Sequence, residues 1–277
     1  MEYIKDFKEF FRKLKLEYKD SPILGDLNVL LQETLKVDYT GLVLKTNLSK
    51  SEYAKIQRNL SKREVGEPVN KIFHNQEFFG LNFFVNNNVL APRQDTEVLV
   101  ETALKVIGSK PCTVLDLCTG SGCVAISIKK NSPQSLVYAS DISEKVLFVA
   151  KKNSKKLNCD ICFIKSNLFD KIKNRFDVIV SNPPYIKTSD ISKLEIEVKN
   201  YDPIISLDGG EDGLLFYKEI ISKSKNFLTE NGYLIFEIGY NQGEDVLGLM
   251  KENGFEASLV KDYNNLDRVI IGKNISR

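Results

Sequence analysis

From Cys112 onward this 277-residue chain alternates short, continuous apolar runs with amphipathic stretches, and no other feature constrains its fold as much. Residues 113–117, 136–140, 162–164, 176–181 and 233–238 read as strands without a polar face, while the 3.6-residue period predicts helices over 124–130, 144–157, 214–228 and 245–252. Strands of that kind need cover on both sides, and the intervening helices supply it. The expected fold is therefore α/β, a mostly parallel sheet between helical layers. Residues 255–261 and 268–272 are separated only by 262–267, too short a link for a parallel crossover, so the sheet should end in an antiparallel pair.

The first part of the chain follows a different rule. Ile4, Phe7, Phe10, Phe11, Leu14 and Leu16 recur at helical spacing, and Leu27, Leu30, Leu31, Thr34 and Leu35 repeat the pattern. Ser49-Lys50-Ser51-Glu52 has the form of a capping box, and Gly66-Glu67-Pro68 stops the helix that it opens. Residues 78–85 and 89–90 suggest two short strands around the Asn86-Asn87-Asn88 turn, and Asp95 or Thr96 should cap a helix over 97–106. The expected organisation is a helical domain over 1–75, a β-hairpin connector over 76–93 and the α/β domain over 94–277.

Charge and rare residues exclude several functions. Lys and Arg number 39 against 37 acids, a net charge of +2, which is a small surplus for a protein that grips many phosphates. His74 is the sole histidine, so neither a histidine-based metal site nor a Ser-His-acid triad is expected, and no metal is assigned. Five scattered cysteines read as reduced thiols; Cys159 and Cys162 have redox spacing but precede a strand instead of opening a helix. The start is charged from Glu2 and no apolar run reaches membrane length, so a cytoplasmic protein without a membrane partner is expected. Lys151 to Lys156 reads as a solvated helix face.

Chemistry concentrates in two loops. Asp116-Leu117-Cys118-Thr119-Gly120-Ser121-Gly122 joins the first strand to its helix; glycines there let a ligand approach the backbone, and Asp141 stands where an acid meets ribose hydroxyls. That pattern alone fits a dinucleotide or S-adenosylmethionine equally. Ser181-Asn182-Pro183-Pro184-Tyr185 breaks the tie. It follows the fourth strand, where it faces the same crevice, and its prolines fix two oxygen acceptors beside a flat ring. Such equipment suits a planar N–H₂ group, and hydride transfer needs none of it.

With the Asn-Pro-Pro-Tyr motif the chain resembles class I (Rossmann-like) S-adenosylmethionine-dependent methyltransferases that act on amino groups. Gly66-Glu67-Pro68, Glu77 to Val85, Ala91-Pro92-Arg93-x-Asp95-Thr96-Glu97, Tyr201-x-Pro203, Leu207-x-Gly209-Gly210 and Asp262-Tyr263 with Asp267-Arg268-Val269 resemble the PrmC/HemK family of protein-(glutamine-N5) methyltransferases. The resemblance implies methylation of the Gly-Gly-Gln glutamine of class 1 peptide-chain release factors, with S-adenosyl-L-homocysteine as product. It implies that Thr119, Gly120 and Gly122 line the methionine end of the cofactor, with Asp116, Cys118 and Ser121 in the same loop. Asp141 would hold the ribose, and Asn167 and Leu168 would flank the adenine. Asn182 and Pro183 would bind the glutamine amide and Tyr185 would pack beside it; Pro184, Pro92 and Arg93 complete the expected substrate pocket. Three residues depart from the family pattern: Cys118 at a usual glycine, Asn167 at a common Asp, and His74-Asn75 where a Gly is common. A monomer with no nucleic-acid partner is expected. The alternatives are a methyltransferase for an adenine or guanine exocyclic amine of DNA or RNA, which needs a base-flipping pocket, and a cofactor-binding regulator without catalysis.

Overall fold

A computed structural model describes residues 3–275, so Glu2, used in the reading above, lies outside the described residues. The chain packs as two compact units, Met1–His74 and Asn75–Arg277.

The first unit is helical: α1 (Phe7–Glu17), α2 (Ile23–Leu35), α3 (Tyr39–Leu44), α4 (Lys50–Glu64) and α5 (Val69–Phe73). In α1 Phe7, Phe10 and Leu14 face the core, whereas Leu16, two residues beyond Leu14 and so on the far side of the helix, is 65% exposed. Helix α4 opens with the expected capping box: Glu52 N–H donates to Ser49 Oγ, and Ser49 N–H donates to Glu52 Oε2. Helices α3 and α5 are not anticipated by periodicity, because six and five residues are too few to display it. His74 ends α5 with φ +54°, the left-handed cap conformation for which glycine is the usual residue.

The second unit begins with β1 (Asn75–Phe78) and β2 (Leu81–Phe84), an antiparallel hairpin. Its turn is Phe79-Gly80, not the Asn86-Asn88 stretch expected from composition. Both turn residues have positive φ, +50° and +68°, the two-residue geometry whose twist matches the strands. The asparagines instead make a separate turn, closed by Val89 N–H on the Asn86 carbonyl.

There follow α6 (Glu97–Ile107), β3 (Thr113–Leu117), α7 (Cys123–Asn131), β4 (Leu136–Asp141), α8 (Glu144–Lys156), β5 (Cys162–Lys165) and β6 (Phe176–Ser181). After α9 (Ile196–Tyr201) come α10 (Leu215–Ser224), β7 (Leu228–Glu237), α11 (Gly243–Glu252), β8 (Phe255–Lys261) and β9 (Asp267–Asn274). Helix α10 stops short of residue 228 because Leu228 already pairs with Phe176 in the sheet.

The seven strands run in the order β5-β4-β3-β6-β7-β9-β8, the first five parallel and β9 antiparallel to both neighbours. This is the expected α/β architecture of a class I methyltransferase. Val114, Val137, Val178 and Ile235 bury one face under α6 and α7, and Leu115, Ile179, Leu234 and Ile270 bury the other under α10 and α11. Each such side chain contributes about 1.5–3 kcal/mol of burial energy, which holds the strand ends, and the loops on them, in fixed register. No helix among the described residues is long and apolar enough to cross a membrane.

Candidate functional site

Strand order reverses at β3, whose neighbours β4 and β6 lie on opposite sides, and ligands of open α/β sheets bind at such a switch point. Register sets the site. Leu117 is opposite Ser140 and Ser181, and Ser181 is opposite Phe236. The next residue on each strand's carboxyl end is therefore Asp141, Cys118, Asn182 or Glu237, brought side by side by backbone pairing alone.

The glycine loop is held from below. Asp116 is buried, and its carboxylate accepts from Thr119 Oγ1 at 2.6 Å and from Ala125 N–H at 3.2 Å. Burial pushes the Asp116 carboxyl up to about 7; the Thr119 and Ala125 hydrogen bonds pull against that and nearby Asp141 adds to it. Gly120 and Gly122 have φ +56° and +82°. A Cβ on Gly120 would stand in open space, whereas one on Gly122 would meet the Ala150 and Ile126 side chains at 3.2 Å. Cys118 also has φ +59°, so this departure from the usual glycine carries left-handed strain. Its thiol is pushed up to about 12 by burial, with nearby Asp141 adding to the rise, so it is protonated at neutral pH.

Asp141 accepts from Gly120 N–H at 3.2 Å on one oxygen and from Ser143 N–H at 3.0 Å on the other. Each oxygen keeps a lone pair, the arrangement that two adjacent hydroxyls require. Burial raises its pKa, and the Ser143 and Gly120 amides pull it back.

Residues 93–97 form a clasp. Arg93 pairs with Asp202 at 3.1 Å, Asp95 with Arg268 at 3.1 Å, and Glu97 Oε1 accepts from Phe79 N–H at 2.8 Å. Thr96, expected as a helix cap, makes no cap hydrogen bond; its Oγ1 accepts from Asn182 Nδ2 at 3.3 Å. One short segment thus ties together the hairpin, β9, the loop before α10 and the Asn-Pro-Pro-Tyr turn.

A cleft, open at its mouth, runs over these strand ends. Of the sequence-predicted residues, Asp116, Cys118, Thr119, Gly120, Ser121, Asp141, Asn167, Leu168, Asn182, Pro184, Pro92 and Arg93 line it. Gly122, Pro183 and Tyr185 are outside the lining. Tyr185 OH reaches Glu237 Oε1 at 3.5 Å instead.

Sequence reasoning missed three supports. Asn153, fully buried within the lysine-rich stretch read as solvated, donates to the Ser121 and Phe84 carbonyls at 2.9 Å. Thr96, a cap candidate and motif residue in the sequence, supports the Asn182 amide. Glu237 is the one acid in the run Leu234-Ile235-Phe236-Glu237-Ile238, an anomaly that could have marked it.

The cleft fits S-adenosylmethionine. Gly120 leaves room that a side chain would fill, and Asp141 offers paired acceptors. Leu168 and Ile142 provide apolar walls for a flat ring.

Comparison with known proteins agrees. The family model of the methyltransferase small domain matches residues 93–199. A release factor glutamine methyltransferase of Agrobacterium fabrum is 40% identical over 257 residues, covering 89% of each chain. One from Geobacter sulfurreducens is 38% identical over 248 residues, covering 88% of this chain and 87% of that one. Among solved structures, a methyltransferase from Pyrococcus furiosus is 17% identical with a TM-score of 0.56, covering 80% of this chain and 99% of that chain, a likeness of fold.

Proposed function

Because this chain belongs to the release factor glutamine methyltransferase family, we propose that it methylates the side-chain amide nitrogen (N5) of the Gly-Gly-Gln glutamine of class 1 peptide-chain release factors, using S-adenosylmethionine. The observation that carries this reading is the Asn182 amide: its nitrogen is engaged by Thr96, so its oxygen is the end left to accept from a substrate N–H₂.

When bound, S-adenosylmethionine supplies an electrophilic methyl on a sulfonium. Asp141 would hold the ribose hydroxyls, the Gly120 backbone the methionine portion, and Asn167 and Leu168 the adenine. An amide nitrogen is a weak nucleophile, and this chain's contribution is to orient it. Asn182 Oδ1 and the Pro183 carbonyl accept its two hydrogens, and Pro184 walls the pocket. Those hydrogen bonds strengthen as the nitrogen acquires positive charge, which is selective stabilisation of the transition state. No base is required before attack; the proton leaves afterwards to water. The Tyr185 phenol, held well above its ordinary range by burial, stays protonated and donates to Glu237.

The helical unit, which exposes Tyr39, Val43 and Leu44, is assigned to docking of the release factor. The protein is taken to work as a cytoplasmic monomer without a nucleic-acid partner, in keeping with five free cysteines and a net charge of +2.

Labelled methyl transfer tests the reading. Release factor should be labelled, its Gln→Ala variant and DNA or ribosomal RNA should not, and Asn182→Ala should cut turnover at least a hundredfold with cofactor affinity within a few-fold. Label on nucleic acid, or full turnover by Asn182→Ala, would contradict it. In the same assay, undiminished kcat/KM for a chain lacking 1–74 would refute docking by that unit.

A further inference from the structure

The Asn182 side chain has a donor end and an acceptor end of nearly equal shape, and only one orientation accepts hydrogens from a substrate amide. Thr96 cannot enforce that orientation alone, because a hydroxyl accepts from an N–H or donates to a carbonyl equally well. The neighbour that can is Glu237. It follows Phe236, the partner of Ser181, and so lies beside Asn182 at the end of the sheet. It is 2% exposed, its Oε1 accepts from Tyr185 OH, and the Thr96 and Asn182 side chains are near enough to hydrogen-bond its carboxylate.

We propose that Glu237 is a positioning residue whose carboxylate keeps the Asn182 N–H₂ turned inward, and that protonation of Glu237 removes this control and switches off transfer to an amide substrate. The inference rests on the function proposed above. An ionised carboxylate is acceptor-only and tolerates only the N–H₂ end of Asn182. A carboxylic acid can donate to Oδ1 instead, which stabilises the reversed amide. The reversed amide would present N–H₂ to the substrate's own N–H₂, two donors face to face.

The surrounding charges place the switch in an accessible range. Burial pushes Glu237 up to about 7; Thr96, Arg268 and Asn182 pull it down, and Asp95 pushes it further up. Arg268, from β9, is shared between Asp95 at 3.1 Å and Asp262 at 3.2 Å, so its charge is not Glu237's alone. From the turn after β6 and from α10 come the Tyr185 and Tyr217 phenols, both held above their ordinary range by burial and therefore neutral; Tyr217 OH donates to the Glu237 backbone carbonyl at 2.9 Å. Arg93 faces Tyr185 and is engaged by Asp202.

The test compares the full-length protein with Glu237→Gln, Thr96→Val and Thr96→Ser from pH 5.5 to 8.5. Two readouts are used: kcat and KM on release factor, and the Asn182 side-chain N–H₂ resonances by NMR without substrate. Wild-type kcat should rise with pH about a midpoint near 7. Glu237→Gln should lose that limb and at least tenfold in kcat, with the cofactor KM within twofold. Thr96→Val should lower kcat and Thr96→Ser restore it. The Asn182 resonances should titrate with the same midpoint in the wild type and not in Glu237→Gln. Resonances that stay flat in the wild type, or a pH limb that persists in Glu237→Gln, would overturn the inference. Wild-type protein inert on release factor, with an Asn182 that titrates in the wild type and not in Glu237→Gln, would overturn the functional reading and leave only the hold of Glu237 on Asn182 standing.

Discussion

Single positions in the glycine loop separate what the fold needs from what the ligand needs. Both glycines require the left-handed region, which costs a side-chain-bearing residue about 1–2 kcal/mol. Only Gly122 also lacks space, since its Cβ would press on Ala150 and Ile126. Gly122→Ala should therefore destabilise the protein by about 2–4 kcal/mol, adding overpacking to strain, whereas Gly120→Ala should cost about 1 kcal/mol but weaken cofactor binding tenfold or more. Denaturant melts and calorimetric titration check the pair; equal effects on both measurements would contradict the assignment. Cys118 shows that the first loop position already tolerates such strain, at φ +59°.

At the scale of elements, local chemistry and local structure agree wherever the signal is short-range. The Ser49–Glu52 capping box is an example. Burial works against the Glu52 charge, but hydrogen bonds from Lys45 and Ser49 outweigh it and draw the carboxyl down to about 2. Ser49→Ala should destabilise the helical unit by about 1 kcal/mol, seen as an earlier thermal transition of that unit. Glu52's contribution has the ordinary carboxylate sign: present above pH 5 and lost as pH falls towards 2. Elsewhere elements are decided by their surroundings. Helix α10 yields Leu228 to the sheet, and the hairpin turns at Phe79-Gly80, where Glu97 receives the Phe79 amide, rather than at the asparagines.

Over the whole molecule, two buried carboxyls set the pH dependence of stability. Asp116 and Glu237 are both pushed up to about 7, from unfolded values near about 4. Between those limits the folded state binds more protons than the unfolded chain, so stability falls as pH rises. Glu52 and Asp177, whose pKa values are lowered, contribute fully above pH 5 and do not oppose this trend. Thermal unfolding without cofactor should therefore show a higher Tm at pH 5.5 than at 7.5, and Glu237→Gln should flatten the difference. A Tm that climbs over that interval would contradict the burial of these two acids.

The sequence by itself determined the α/β class, the antiparallel end of the sheet, the capping box and the two loops that carry chemistry. Each depends on spacing within a few residues, where apolar period, glycine and proline act directly on the backbone. Tertiary structure alone decided that the Asn182 amide meets Thr96, since that partner is 86 residues away. It likewise decided that Asn153 braces the glycine loop, that 93–97 is a clasp, and that Glu237 lies under the acceptor site. These are contacts between distant segments, created when strand register brings carboxyl ends together, and no local pattern encodes a partner that lies on another strand.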